Sequence, residues 1–343
     1  MLPFTIYKLH FTTPVHMGDS REDYGISLKT IHSDTIYAAL TSCLAKIGKV
    51  IPNDGDLGFT VSSLFPFYQE NKDTSTVYFF PKPLKQILPD LKEVGNAKDI
   101  KSVAWLDSHC FKEVLNNKIF KKEAIKGCYL TQAKIYTQKE EEDVINKKLQ
   151  ELPNEFIYPQ VSPRVKVSRS GQGDAVPFYM DRIYFKDYSG LFFVVLGDDT
   201  SLLDAAMEVL QHEGIGTDRN VGNGFFTFEK DTKTIIDYPQ ESDYVMSLSM
   251  FIPESKEQLE EMISDAVAYD FIRRGGWITT SPYNTYRKNA VYAFLPGSVF
   301  SLKASNPFVK GTIVDLKPEL EFNGGIKHSI WRNGKSIFIP IKL

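Results

Sequence analysis

Four glycines and one arginine fall within the eleven residues Gly214-Ile215-Gly216-Thr217-Asp218-Arg219-Asn220-Val221-Gly222-Asn223-Gly224. Glycine lets backbone N–H groups approach an anion closely, and a guanidinium adds a fork of donors, so the pattern suits phosphate. Neither familiar phosphate loop is present. A P-loop ends in G-K-[ST], which is missing, and a dinucleotide fingerprint follows a strand and opens a helix. Here an expected helix precedes the loop and an expected strand follows it. A helix N-terminus therefore does not point at the bound group in the usual way. The plain alternative is a turn that only redirects the chain, although single turns rarely need four glycines.

Two further stretches carry basic chemistry. In Pro163-Arg164-Val165-Lys166-Val167-Ser168-Arg169-Ser170-Gly171-Gln172-Gly173-Asp174, residues Arg164, Lys166 and Ser168 share one side of an extended strand. Such an arm suits a phosphate backbone; a solvated edge strand blunted by its cations is the equal competitor. In Phe271-Ile272-Arg273-Arg274-Gly275-Gly276-Trp277, with Arg287 and Lys288 downstream, adjacent arginines could clamp phosphate and Trp277 could stack a base. The run Gly224-Phe225-Phe226-Thr227-Phe228 resembles the aromatic strand of RNA-recognition motifs but lacks its leading basic residue and second glycine. Alternating phenylalanines on a buried strand are more often core.

His32 is placed to act as a general base for RNA cleavage by its own 2′-hydroxyl, which needs no metal. No second histidine or tyrosine is spaced nearby to serve as partner, so a hydrogen-bonding histidine is the favoured reading. His10, His16, His109, His212 and His328 are scattered without metal-ligand spacing, and there is no G-x-S-x-G elbow.

These residues need elements to hold them. Alternation predicts a strand over 4–12. Apolar Ile36, Leu40, Cys43, Leu44 and Ile47 make a helix stripe over 34–47, with Ser33 as N-cap, Asp34 in the first turn and Gly48 as the stop. A short strand is expected at 77–80, then an irregular lysine-rich stretch with a charged helix over 138–149. Strands at 178–186 and 190–196, joined by Asp187-Tyr188-Ser189-Gly190, read as a hairpin. A helix marked by Leu202, Leu203, Ala206, Val209 and Leu210 ends at Gly214, and a strand follows at 225–229. A polar linker is expected over 230–243. The second round is strand 245–251, helix 256–268, strand 269–274, and strands near 290–300 and 336–341. The pattern predicts an α+β fold of two ferredoxin-like (RRM-like) domains, 1–240 and 241–343, with a large insertion at about 81–155 in the first.

Composition agrees with a globular chain. The 343 residues are 42% hydrophobic and 24% charged, which excludes disorder as the main state, and the length favours two domains. No window of about 18 apolar residues exists, and the start lacks signal-peptide features, so no membrane contact is expected. Cys43, Cys110 and Cys128 are odd in number and far apart, which fits a reducing cytoplasm and no disulfide framework.

Five blocks resemble the RAMP-superfamily subunit of type III-A CRISPR (Csm) effector complexes that holds the 5′ handle of the CRISPR RNA. They are PVHMGDSREDYGISLKTIHSDTIYAAL, PRVKVSRSGQGDAVPFYM, GIGTDRNVGNGFF, RRGGWI and the closing IKHSIWRNGKSIFIPI, in family order. The resemblance implies a subunit that binds RNA without cutting it and needs no cofactor. It implies four partners: the repeat-derived 5′ tag of the guide, the large polymerase-like signalling subunit, the backbone RAMP subunit, and target RNA near the tag boundary. Carried over by motif, Arg21, His32, Ser33, Thr35 and the loop residues Gly214, Gly216, Thr217, Arg219, Asn220, Gly222 and Gly224 would face the tag. Arg164, Lys166 and Arg169 would lie on an arm beside the guide–target duplex, and Arg274 would meet RNA as well. A metal-independent endoribonuclease using His32 is the alternative.

Net charge qualifies this expectation. The chain carries −3 overall; residues 241–343 hold 12 basic and 11 acidic side chains, and the rest hold 28 and 32. Neither half is basic as a whole. Contact with RNA must then be local, through a few arginines and glycine-exposed amides.

Overall fold

The computed structural model describes residues 4–18, 24–69, 71–72, 74–85, 103–117, 134–136, 156–167, 174–263, 267–279, 281–319 and 325–343. The chain opens with β1 (Phe4–Phe11) and α1 (Ser33–Lys46). Then come β2 (Thr60–Val61), β3 (Phe65–Tyr68), β4 (Val77–Pro81), β5 (Val103–Asp107), α2 (Ser108–Leu115) and β6 (Lys134–Tyr136). A long ribbon of β7 (Ile157–Lys166) and β8 (Val176–Phe185) leads to β9 (Ser189–Leu196), α3 (Ser201–Glu213) and β10 (Phe226–Lys233). The second half holds β11 (Ser242–Ser247), α4 (Lys256–Met262), β12 (Phe271–Arg274), β13 (Val291–Phe294) and β14 (Val299–Ala304). It closes with β15 (Phe308–Lys310), β16 (Ile313–Asp315), β17 (Trp331–Asn333) and β18 (Ser336–Ile341).

The fold is α+β. Its main sheet runs β10-β1-β9-β3-β4-β5-β6, with β2 beside β9. Strand alternation sends Tyr7, Leu9, Phe193 and Val195 to one face, where α1 and α3 bury Ile36, Leu40, Leu44, Leu203, Met207 and Leu210 against them. Phe4, Ile6, Phe192 and Val194 point to the other face, which Met246, Leu248, Val299, Ile337, Ile339 and Ile341 of the second half close. Each such side chain contributes about 1.5–3 kcal/mol of burial. Because helices cover one face and the second half the other, β9 is apolar at consecutive positions rather than alternating. The second half forms a smaller sheet, β14-β11-β18-β15, with two separate ribbons, β12–β13 and β16–β17.

The structure corrects several expectations. The strands around residue 188 do not form a hairpin. β8 pairs along its whole length with β7, while β9 pairs with β1, β2 and β3. The turn brings the two strands end to end, and the doubly buried β9 takes a place inside the main sheet that the half-exposed β8 cannot share. The strand after α1 in the sheet order is β3, at 65–68, and the expected strand at 77–80 is its outer neighbour β4. The helix from 256 ends at Met262, where Ile263 turns extended (φ −97°, ψ 126°). The linker is not simply polar. β10 continues to Lys233, and Ile236 and Tyr238 are buried in the core shared by both halves. The helix expected over 138–149 and Cys128 lie outside the described residues; Cys43 and Cys110 are buried and free.

Candidate nucleic-acid interface

The residues singled out from the sequence occupy three places. The first is the ribbon. Arg164 stands opposite Phe178 and Lys166 opposite Val176, so both cations are on one face. The other face exposes Val161 (56%), Val165 (57%) and Tyr179 (69%). Arg169, Ser168 and the glycine turn beyond them lie outside the described residues, as does Arg21.

The second place is the glycine loop between α3 and β10, in the helix-loop-strand order expected. Its glycines serve the loop's own packing more than an open cradle. A Cβ on Gly224 (φ +77°) would stand 1.9 Å from the Ile215 carbonyl oxygen, and one on Gly216 (φ +98°) 2.5 Å from that of His16. Gly214 caps α3, its N–H donating to Leu210 O at 2.8 Å. Seven amides from Gly214 to Phe225 are already committed: those of Gly214, Ile215, Thr217, Val221, Gly222, Gly224 and Phe225. The exposed part is a single 3-10 turn, Arg219–Val221, flanked by Asp218 and Gly222 in left-handed backbone. Arg219 and Asn220 are presented there, with Thr217 exposed just before it. One Arg219 amine lies 3.4 Å from Gly214 O and 3.9 Å from Glu213. Phe226 is core and packs on Phe11 at 5.8 Å, so it is not a stacking platform.

Residues 14–17 join loop and ribbon. Gly224 N–H donates to Pro14 O and Thr217 N–H to His16 O, at 2.8 and 2.9 Å. On the other side Val15 bridges to Ile183 of β8, and His16 Nδ1 donates to Asp181 O at 2.6 Å. His16, read from sequence as one of several scattered histidines, is thus the buried link between the two basic features.

The third place is the N-terminal end of α1, where the two halves of the chain meet. His32 is the N-cap residue, and its carbonyl accepts from Thr35 and Ile36. Ser33 does not cap. Its hydroxyl accepts from Met250 N–H at 2.8 Å and its own N–H donates to Ser63 Oγ. Ser33 is buried (1% exposed), so the expectation that it meets RNA gives way to a tie between the halves. Asp34 is equally buried and accepts from Arg274 Nε at 2.7 Å and from a second Arg274 amine at 3.1 Å. That same Arg274 amine reaches Thr35 Oγ1 at 3.0 Å. Arg332 of β17 donates to the same Asp34 oxygen as Arg274 Nε, at 2.7 Å, and to Gly275 O at 3.1 Å. Burial alone would raise the Asp34 pKa, but the charges of Arg332 and Arg274 outweigh it and hold the carboxyl well below the usual range. Arg274 is therefore held in place by Asp34 and Thr35 rather than standing free. Trp277 is likewise engaged: the Arg287 guanidinium sits 4.9 Å from its ring centre.

The glycine loop and this seam are not one site. Lys46, in the last turn of α1, pairs with Glu213 beside the loop. The seam stands at the other end of the helix, about 20 Å away at 1.5 Å per residue. Sequence reasoning missed Arg332 although its block was noted; a single arginine in a short strand carries no local signal. Among the described residues no group of three or more His, Cys, Asp or Glu side chains is arranged to hold a metal ion, and no helix is long and apolar enough to cross a membrane.

Residues 240–341 match the family model for the CRISPR Csm4 C-terminal domain. The chain is similar to the CRISPR system Cms protein Csm4 of Streptococcus thermophilus, 27% identical over 360 aligned residues that cover 98% of this chain and 99% of that protein. It is 24% identical over 311 residues to the protein of the same name from Methanocaldococcus jannaschii, covering 77% of this chain and 78% of that one. Its fold is similar to a chain of the Csm3-Csm4 subcomplex in the type III-A CRISPR-Cas interference complex, with a TM-score of 0.63, 18% identity and 100% of both chains covered. A chain of the Csm1-Csm4 cassette in complex with pppApA gives a TM-score of 0.56 at 17% identity, covering 99% of this chain and 98% of that one. At these identities the structural likeness speaks to the fold alone.

Proposed function

The family match, the likeness to two Csm4 proteins and the shared fold indicate a Csm4 subunit of a type III-A complex, and on that premise we propose a non-catalytic RNA-binding scaffold. In this reading the chain caps the 5′ handle of the guide RNA and joins the large signalling subunit to the backbone subunits, in the cytoplasm. The assemblies named for the structural neighbours, Csm3-Csm4 and Csm1-Csm4, supply the two kinds of protein partner. Target RNA would run near the ribbon. We divide the chain at residue 240. The main sheet order β10-β1-β9-β3 with α1 and α3 supports a ferredoxin-like plan for the first domain. In the second, β18-β11-β14 keeps the same order, and the missing strand is represented by the bridge Ala268↔Val299.

The observation that carries the RNA reading is the frame formed by residues 14–17. It is bonded to the glycine loop on one side and to β8 on the other, so Arg219, Arg164 and Lys166 are presented from one rigid support. Local cations on such a frame grip a phosphate backbone without a basic protein around them. Against the nuclease alternative stands the state of Asp34. It is the carboxylate nearest His32 in sequence, and two guanidiniums hold it ionised, which makes it a poor partner acid to protonate the leaving 5′-oxygen while His32 takes the 2′-hydroxyl proton.

The test is purification of the complex through this chain, followed by sequencing of the RNA retained. One discrete 5′ end supports the scaffold. Cutting of repeat RNA by the isolated chain without metal, abolished by His32→Ala, would replace it with the nuclease.

A further inference from the structure

The seam at α1 holds more positive charge than its own carboxylate balances. Asp34 is shared by Arg274 and Arg332, both on its Oδ2 at 2.7 Å. Arg332 is 7% exposed, yet its Nε has no partner among the described residues. A third cation, Lys288, adjoins them. Its backbone N–H is bonded to Gly276 O, one residue from the Gly275 carbonyl that receives Arg332. Lys288 is partly buried, and among the described residues its ammonium has no hydrogen bond or ion pair. Burial first, and then the charge of Arg332, pull its pKa down to about 8. The N-terminus of α1 adds the positive end of its dipole at the same point.

Three cations against one carboxylate in a partly dehydrated seam is a costly arrangement unless an anion joins it. Planar guanidiniums and a compact ammonium are the donor set that phosphate oxygens accept from. We propose that Lys288, Arg332 and Arg274, beside Thr35 at the head of α1, form a seat for one phosphate group of a bound RNA strand. The seat lies at the opposite end of α1 from the glycine loop, so a strand touching both would follow the helix across the junction of the two halves. That the phosphate belongs to RNA rests on the function proposed above; the need for an anion rests on the seam alone.

Lys288 is the residue to change, because removing Asp34 or Arg332 would unseat the domains. Lys288→Met keeps the side-chain length and removes the charge. The full chain and K288M are titrated with a short single-stranded RNA over a salt series, and Lys288 is followed by NMR after selective lysine labelling. The expected result is a salt slope smaller by about 0.7 in K288M, one phosphate contact in a single strand, with the wild-type Lys288 signal titrating at higher pH once RNA is added. Inorganic phosphate at constant ionic strength is the second arm; a Lys288 response to phosphate and none to RNA removes the RNA assignment. Equal slopes and an unmoved Lys288 signal overturn the seat while leaving the scaffold reading intact. Failure of the wild-type chain to bind RNA at all counts instead against the scaffold.

Discussion

The Asp34 carboxylate receives two hydrogen bonds from the Arg274 guanidinium across 240 residues of chain. This pair, with Arg332, fastens the first helix of one half to two ribbons of the other. It is buried, bidentate and charged, so its loss is felt through the uncompensated charge left behind more than through the bonds themselves. Trp331 packs over Gly55, and Lys335 pairs with Asp56 close by, so the same seam is closed by packing as well.

Asp34→Asn is expected to destabilise the chain by about 3–5 kcal/mol, since two guanidiniums then face a neutral amide. Chemical denaturation measures it. The pair Asp34→Asn with Arg274→Met should cost less than the two separate changes combined, because the partner left unpaired is removed. Additive costs would mean that the two residues act independently.

Lys288 gives the seam an alkaline signature. Its folded pKa of about 8 lies below its ordinary 10.5. Between these values the unfolded chain binds more protons than the folded one, so stability rises with pH across that window. The rise is about 3 kcal/mol at full effect. Buried Tyr7 and Tyr37 have raised hydroxyl pKa values and pull the other way above pH 10, so the quantity to read is the difference between wild type and Lys288→Met. A difference that stays flat from pH 8 to 10 argues that Lys288 is better solvated than its position indicates.

Asp34 supplies the acid counterpart. Its carboxyl is depressed below the ordinary 3.8, so its contribution is complete above that value and is lost as pH falls further toward the folded pKa. Acid unfolding of Asp34→Asn should therefore be shallower below pH 4 than that of the wild-type chain.

Much of the fold was legible because single elements carry their own period. α1 and α3 show helical stripes, β1 alternates, and β18 is a continuous apolar run. What escaped depends on distant partners. β3 is Phe-Pro-Phe-Tyr, and a proline argues against a central strand, yet β3 lies between β9 and β4 with Pro66 opposite Leu191 of β9. The pairing of β8 with β7 rather than β9 is decided by which strand has both faces covered, and no local residue states that. At the seam, Ser33 has the type and position of a helix cap. Its hydroxyl instead serves Met250, 217 residues away, a partner invisible from its neighbours. The glycine loop was read correctly as unusual and in the right order. Its glycines, however, answer mainly to Ile215 and His16.

Gly224→Ala tests that last point. The added Cβ meets a backbone oxygen at 1.9 Å, which no side-chain shift relieves, and φ is +77°. A loss of more than about 1 kcal/mol is expected, with faster amide exchange at Ile215 and Thr217. Gly222→Ala meets nothing within 4 Å and carries only the penalty of its positive φ, so it should cost about 1 kcal/mol and leave exchange unchanged. Equal effects of the two substitutions would mean that the close approach at Gly224 is not what the loop requires.

Under the proposed function, the ribbon and the 3-10 turn offer cations away from the seam. Arg164 and Lys166 share a face of β7, and Arg219 is offered by the loop tip. Alanine at Arg164 and Arg219 together should reduce the guide RNA retained by the purified complex and lower the salt slope by about 0.7 for each phosphate lost. Stability should change little, because Arg219 makes only a long 3.4 Å bond to Gly214 O and neither side chain belongs to a buried ion pair. Val165→Ser is the control on the opposite face: it removes exposed apolar surface and no charge, so the slope should not move. If the double substitution leaves both RNA content and slope unchanged, the ribbon and loop are not the grip. The phosphates would then have to be held at the seam, where Lys288 gives a separate readout.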